Sequence, residues 1–273
     1  MKAIYFLIAI LLIGPVGFAQ DSNFHVYLSF GQSNMEGHAK FESQDTIGNE
    51  RFQVLQSVDC PELGREAGKW YTAVPPLSRC DTGLTPTDYF GRTMIQNLPE
   101  NIKVGVINVA VGGCKIELFD KENHKEYVAN APHWMLPAIN KYNGNPYGHL
   151  VDLGKKAQEK GVIKGILLHQ GESNTGDEQW PEKVKVVYEN LLKDLNLNAK
   201  EVPLIAGEMV SEEQGGKCAS MNKILAKLPQ KIPNAHIVSS EGCEAVDDGL
   251  HFSAAGYREL GERYAEKMLP LLK

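Results

Sequence analysis

Five short apolar runs recur along this 273-residue chain, at Phe24–Phe30, Lys103–Ala110, Val162–His169, Val202–Glu208 and Ala235–Ser239. Between them lie segments with helical character, at Thr87–Leu98, Tyr147–Lys160, from Pro181 onward, Cys218–Leu228 and Ser253–Leu269. Pro181 sits where a first helical turn accepts proline, Ser253 is a candidate N-cap, and Gly161 reads as a helix stop. Several of the runs are apolar along most of their length, as strands covered on both faces are. Strand and helix in alternation predict an α/β fold, a three-layer α/β/α sandwich with about five parallel strands. Ligands of such sheets bind beyond the carboxyl ends of the strands. Residues 36–85 and 115–146 show little periodicity and read as long loop regions, the first with room for a short hairpin; loops of that size are usually functional. No internal repeat or linker argues for a second domain, so residues 20–273 read as one unit.

Residues 1–19 read as a signal peptide. Lys2 supplies the positive start, Ala3–Ile13 the apolar stretch, and Gly17-Phe18-Ala19 the small residues before a cut at Ala19/Gln20. The apolar stretch is short for a membrane span, and no cysteine follows the cut closely, which argues against a lipid anchor. The mature chain is therefore expected to be secreted or periplasmic, where disulfides are permitted. The five cysteines are Cys60, Cys80, Cys114, Cys218 and Cys243. By position alone, Cys60–Cys80 and Cys218–Cys243 are the first pairs to consider. The odd count leaves at least one thiol over, and the pairing stays open. A formal net charge of −6 with no run of Lys or Arg argues against a nucleic-acid partner. No Cys or His spacing fits a zinc site, and no cofactor or metal is expected.

Each of the first three runs ends in a chemically suggestive turn. Gly31-Gln32-Ser33-Asn34-Met35 follows the first, Gly112-Gly113 the second, and Gln170-Gly171-Glu172-Ser173 the third. Asp248-Gly249-Leu250-His251 follows the fifth. Ester cleavage needs a nucleophile, a base and donors for the oxyanion. Ser33 fits the nucleophile and His251 the base. Asp248, three residues before His251, fits the group that holds the imidazole tautomer. The N–H groups of Ser33 and Gly113 and the side-chain amide of Gln170 fit the oxyanion hole. Gln32 and Asn34 flank the serine as supporting residues. Met35 stands where the nucleophile elbow of α/β-hydrolases has its second glycine, and the serine follows the first strand, so that fold is not expected.

These four motifs, in this order, resemble the carbohydrate esterases of the SGNH-hydrolase superfamily, in the branch of sialate O-acetylesterases and acetyl xylan esterases. The resemblance spans about residues 24–270. It implies a flavodoxin-like domain and metal-independent removal of acetyl groups from sugar hydroxyls. It assigns Ser33 as nucleophile, Asp248 and His251 as the relay, and Ser33 N–H, Gly113 N–H and Gln170 as the oxyanion hole. Cys114 departs from the Thr or Ser expected after Gly113.

Other readings remain beside these. Ser33 and Asn34 also suit a helix start. Asp247 is a rival to Asp248, at a spacing of four. Glu172 either serves His251 as an alternative acid or fixes the loop carrying Gln170. His169 reads as a packed, hydrogen-bonded strand-end residue, and Cys114 as a small buried one. Trp70, Trp134 and Trp180 are placed in or beside rim loops, and Trp134 leads as a sugar-stacking surface. Lys115 and Arg79 are candidates to meet an acidic sugar, against a reading as solvated charges. The expected partner is an acetylated carbohydrate. A lipase or thioesterase of the same superfamily and a non-catalytic carbohydrate-binding protein are the alternatives. Which sugar it acts on, the position of the ester and the oligomeric state are not readable.

Overall fold

The computed structural model describes residues 20–272; the leader peptide expected at 1–19 lies outside them. The strands are β1 (Asp21–Gly31), β2 (Phe52–Leu55), β3 (Trp70–Thr72), β4 (Lys103–Ala110), β5 (Gly161–His169), β6 (Leu204–Gly207) and β7 (Ala235–Val238). They form one sheet in the order β3-β2-β4-β1-β5-β6-β7. Every pairing is parallel except that of β3 with β2. All five runs legible in the sequence are strands. The two additional strands extend the sheet from within residues 36–85, as a widely connected antiparallel pair.

The helices are α1 (Ser33–Glu36), α2 (Pro86–Asn97), α3 (His124–Ala129), α4 (Leu136–Lys141), α5 (Pro146–Gln158), α6 (Trp180–Asp194), α7 (Met221–Leu225), α8 (Leu228–Lys231) and α9 (Ala254–Met268). Their starts are chemically marked. Thr85 and Asp88 make a reciprocal capping box on α2, Asn145 caps α5 and Ser253 caps α9. The region 115–146 is less irregular than its sequence suggests, since α3 and α4 lie in it. The expected helix at 218–228 is instead the short α7, with α8 following as a separate turn. Gly161 opens β5 and does not end a helix: a Cβ there would meet the Phe24 carbonyl oxygen at 2.5 Å.

Alternation along the strands builds two cores. Val26, Leu28 and Phe30 of β1 join Ile107, Val109, Ile166 and Leu168 beneath α5 and α6. Tyr27 joins Val104, Val106, Leu167 and Ile205 beneath α2 and α9. Successive residues of a strand point to opposite faces, so one apolar run serves both layers.

Cys60 and Cys80 form a disulfide, whereas Cys114, Cys218 and Cys243 are free thiols. The pair Cys218–Cys243 does not form because the two lie on opposite faces of the sheet. Cys243 belongs to the α2/α9 core, and Cys218 packs against the α5/α6 core. No helix among the described residues is long and apolar enough to cross a membrane.

Candidate active site

Strand register sets the site. Gly31 of β1 lies opposite Ala110 of β4 on one side and His169 of β5 on the other. The three turns that follow therefore leave the sheet at one level. Glycine is required at 31, where a Cβ would sit 2.0 Å from the His169 carbonyl oxygen. Ser33 then opens α1, whose Met35 and Glu36 N–H groups donate to the Gln32 carbonyl at 2.9 and 2.8 Å. As the first residue of a helix, Ser33 has an N–H with no intrahelical partner.

His251 arrives from the far end of the chain on a loop turned by Gly249, at φ +67°. Its Nε2 lies 2.8 Å from Ser33 Oγ, and its Nδ1 lies 2.6 Å from Asp248 Oδ2. Asp248 Oδ1 accepts from the N–H groups of Leu250 at 2.7 Å and His251 at 2.9 Å. One oxygen thus shapes the loop while the other meets the imidazole. Asp247 is exposed. Burial works against ionising Asp248, but the hydrogen bonds from His251 and the two backbone groups outweigh it and hold the carboxyl down to about 2.

Asn34 ties the Ser33 turn to the His251 loop. Its amide donates to Glu172 at 2.5 Å and to the Leu250 carbonyl at 2.9 Å, while its Oδ1 accepts from Tyr257 at 2.7 Å. Glu172 meets Asn34 rather than the ring nitrogens of His251, which Ser33 and Asp248 occupy. Burial raises the Glu172 pKa above the usual carboxylate range. His169 is fully buried with Nδ1 3.4 Å from the Tyr264 hydroxyl. Its Nε2 lacks a hydrogen-bond partner, and burial, with His251 nearby, pushes the ring pKa down to about 3.

The β4 turn is set from below. Glu36 accepts from the Gly112 N–H at 2.8 Å and pairs with Arg79 at 2.5 Å. Arg79 also donates to the Ala110 carbonyl. Arg79 is therefore neither a solvated charge nor a free ligand for an acidic sugar: it is buried, and its charge is neutralised by Glu36. Ser173 Oγ donates to the Gly113 carbonyl at 2.8 Å. With the turn held this way, the N–H groups of Gly113 and Ser33 have no protein acceptor among the described residues. Gly113 adopts φ +71°.

Gln170 departs from its expected orientation. Its side chain is buried, and Nε2 lies 2.8 Å from Asn174 Oδ1, 3.1 Å from Gln32 Oε1 and 3.2 Å from the Cys114 carbonyl. Its Oε1 accepts from the Trp180 indole. Both amide hydrogens have acceptors inside the fold. Cys114 is buried, and its thiol is held protonated by that burial.

The three tryptophans separate. Trp180 is fully buried. Trp70 packs on Phe24 and lines a cleft with Asp21, Lys103 and Lys160, at the amino ends of the strands and away from the site. Trp134 is 66% exposed, and its ring covers Gly113: a Cβ on that glycine would lie 2.5 Å from the indole. Beyond it, Lys115, Asn123, Glu126, Tyr127 and Asn130 line an open cleft of about 480 Å³. His38, Asp248 and His251 bring ligand-type atoms within 4.8 Å of one another. Glu36, Ser173, Asn174, Tyr257 and His38 were not singled out from sequence. Ser173, Asn174 and Glu36 carried a local signal, the first two just after Glu172 and the third next to Met35.

Residues 23–270 match the family model described as SASA: carbohydrate esterase, sialic acid-specific acetylesterase. Solved structures of similar fold include a protein of Arabidopsis thaliana, at 21% identity and TM-score 0.69, covering 92% of this chain and 99% of that one. Another is NanS, at 15% identity and TM-score 0.62, covering 91% and 98%. A third is a carbohydrate acetylesterase from Xanthomonas citri, at 17% identity and TM-score 0.60, covering 88% of this chain and 55% of the other. These likenesses establish a shared α/β fold. With the family match running over nearly all of the described residues, the chain belongs to the sialic acid-specific acetylesterase family of carbohydrate esterases and is an ester hydrolase.

Proposed function

We propose that this protein is an exported serine esterase that removes O-acetyl groups from carbohydrate, of the sialate or acetyl xylan type, through Ser33, His251 and Asp248. The observation that carries this reading is the pair of contacts on His251, 2.8 Å to Ser33 Oγ and 2.6 Å to Asp248. Ser33 Oγ attacks the acetyl carbonyl as His251 Nε2 takes its proton. Asp248 keeps the remaining ring proton on Nδ1 and stabilises the imidazolium. The negative oxygen of the tetrahedral intermediate is held by the N–H groups of Ser33 and Gly113. His251 then protonates the departing sugar oxygen, and water, deprotonated by the same imidazole, releases acetate from Ser33. Gln170 acts as the third oxyanion donor when it releases Asn174 or Cys114; until then it fixes the turn beneath Gly113.

Trp134 is the wall on which a sugar ring stacks beside the oxyanion hole, and Lys115 is the cation available to an acidic sugar. Asn34 and Gln32 position the turns, and Glu172 acts through Asn34. Export rests on the leader-like residues 1–19, with residues 20–273 as one esterase unit; the Cys60–Cys80 disulfide is consistent with it. Acetate release from acetylated sialoglycan and acetyl xylan, beside a series of 4-nitrophenyl esters of increasing chain length, tests the proposal. Acetate release from a glycan with preference for the two-carbon acyl group is expected. Preference for long acyl chains would favour a lipase or thioesterase. Glycan binding with no turnover would favour a non-catalytic carbohydrate-binding protein.

A further inference from the structure

His38 lies beyond the nucleophile turn, on a segment that the reaction above does not use. Its backbone is pinned on both sides: the Gly83 N–H donates to the Gly37 carbonyl at 2.8 Å, and the Leu84 N–H donates to the Ala39 carbonyl at 2.7 Å. The His38 ring lies face to face on the His251 ring, with centroids 3.7 Å apart and planes 10° from parallel. His38 is exposed, so it forms the solvent-side cover on one face of the base.

The two in-plane contacts of His251 do not restrain tilting of the ring out of the Ser33–Asp248 plane. A flat partner against its face does. The stack also responds to charge. A neutral π face favours a cation placed over it, whereas two imidazolium rings at this separation repel. The charged groups around the pair are few. Burial, and then His251, hold the His38 pKa below the ordinary imidazole range, against Asp248 and Glu36, which favour a proton on it. His251 has Asp248 on its own loop, Glu172 from the turn after β5, and the buried, neutral His169 behind it.

We propose that His38 is a positioning residue for His251: in its neutral form it holds the base in the plane of Ser33 and Asp248 and steadies the imidazolium, and on protonation it disables the base. This rests on His251 being the general base. The acid limb of activity then reflects two coupled protonations and not one.

The test is the pH profile of kcat and KM for a 4-nitrophenyl acetate substrate in wild type, His38→Ala and His38→Phe. In His38→Ala, kcat falls about tenfold with KM little changed, an amount in keeping with a lost cation–π contact and a looser ring. In His38→Phe, a flat ring without a titrating nitrogen, kcat recovers most of that loss, and the acid limb drops from a slope approaching two to a slope of one. Wild-type kcat and an unchanged limb in His38→Ala would overturn the proposal, as would a His38→Phe enzyme no faster than the alanine variant. An NMR titration of the His251 ring protons reads the same contact without turnover, with two coupled steps in wild type and one in His38→Phe. A wild-type protein that hydrolyses no ester, yet shows the coupled titration, would overturn the reading of the site and leave the contact standing. Single-step titration in wild type would overturn the contact itself.

Discussion

Asp248→Asn isolates the tautomer argument, because the two carboxylate oxygens of Asp248 do separate work. Oδ1 takes the Leu250 and His251 backbone N–H groups, and Oδ2 takes the imidazole. An asparagine whose Oδ1 keeps both backbone bonds must turn its NH2 toward His251 Nδ1. The ring then carries its proton on Nε2 and presents a donor, not an acceptor, to Ser33 Oγ. The expected loss in kcat is about 10³- to 10⁴-fold, or roughly 4–5.5 kcal/mol of barrier. The loop survives because its backbone bonds survive, so the stability change at neutral pH should stay under about 1 kcal/mol for this partly exposed pair. The sign of its pH dependence is fixed. The folded carboxyl is depressed from 3.8 to about 2, so its contribution is full above pH 4 and is lost as pH falls through 2. Single-turnover kinetics on a 4-nitrophenyl acetate substrate and thermal unfolding of the same samples give both quantities. A folded Asp248→Asn enzyme retaining a tenth or more of wild-type kcat would refute the tautomer argument. If Glu172→Gln were then inactive, the acid would be Glu172.

Trp134→Ala should raise KM for an acetylated oligosaccharide about tenfold, as expected for one lost aromatic stacking surface, while changing KM for 4-nitrophenyl acetate little; equal effects on both substrates would argue against a sugar platform. Cys60→Ser opens a loop with a sequence separation of 20. It should cost about 3 kcal/mol and lower Tm by roughly 6–12 °C, a drop that dithiothreitol should reproduce in the wild type. Asp88 is fully buried with Oδ1 unpartnered, and burial pushes its carboxyl up to about 7. A raised acid binds its proton more tightly in the folded state, so it contributes a stability loss that grows from pH 4 to 7 and is complete above pH 7. Asp88→Asn, which can keep the Thr85 cap, should therefore unfold roughly 1–3 kcal/mol later than wild type at pH 8 and show little gain at pH 4; equal gains at both pH values would contradict this.

The layered fold was legible because its five principal strands are long or apolar enough to announce themselves. The strands Phe52–Leu55 and Trp70–Thr72 are too short to show a period; the first exists through its long-range pairing with β4 and the second through its pairing with the first. Ser33 and Gly113 could be placed because each closely follows a strand end that parallel register carries to one level, whereas Asp248 and His251 lie on a loop well past the end of β7 and were marked by their mutual spacing. Among the side chains that orient them, Asn34 and Glu172 stood inside the legible motifs, but others were not readable. Arg79 looked like a surface charge until Glu36, 43 positions away, neutralised it. Gln170 looked free to point at substrate, but its acceptors at Gln32 and Cys114 lie on other strand-end turns. The expected Cys218–Cys243 pairing is absent because closeness along the chain says nothing about which face of a sheet a residue occupies. His38 carries no local signal, since its contact with His251 exists only once both ends of the chain have met.

The central claim is that Ser33 performs nucleophilic attack with His251 as its base. It is tested most directly by mass spectrometry of the protein after rapid quenching with an acetyl ester, in wild type and in Ser33→Ala. The account predicts an acetyl adduct on the Ser33 peptide of the wild type, no adduct in Ser33→Ala, and loss of turnover in that variant by at least about 10³-fold. Acetate release by a folded Ser33→Ala protein at the wild-type rate, or an adduct mapped to any other residue, would contradict it.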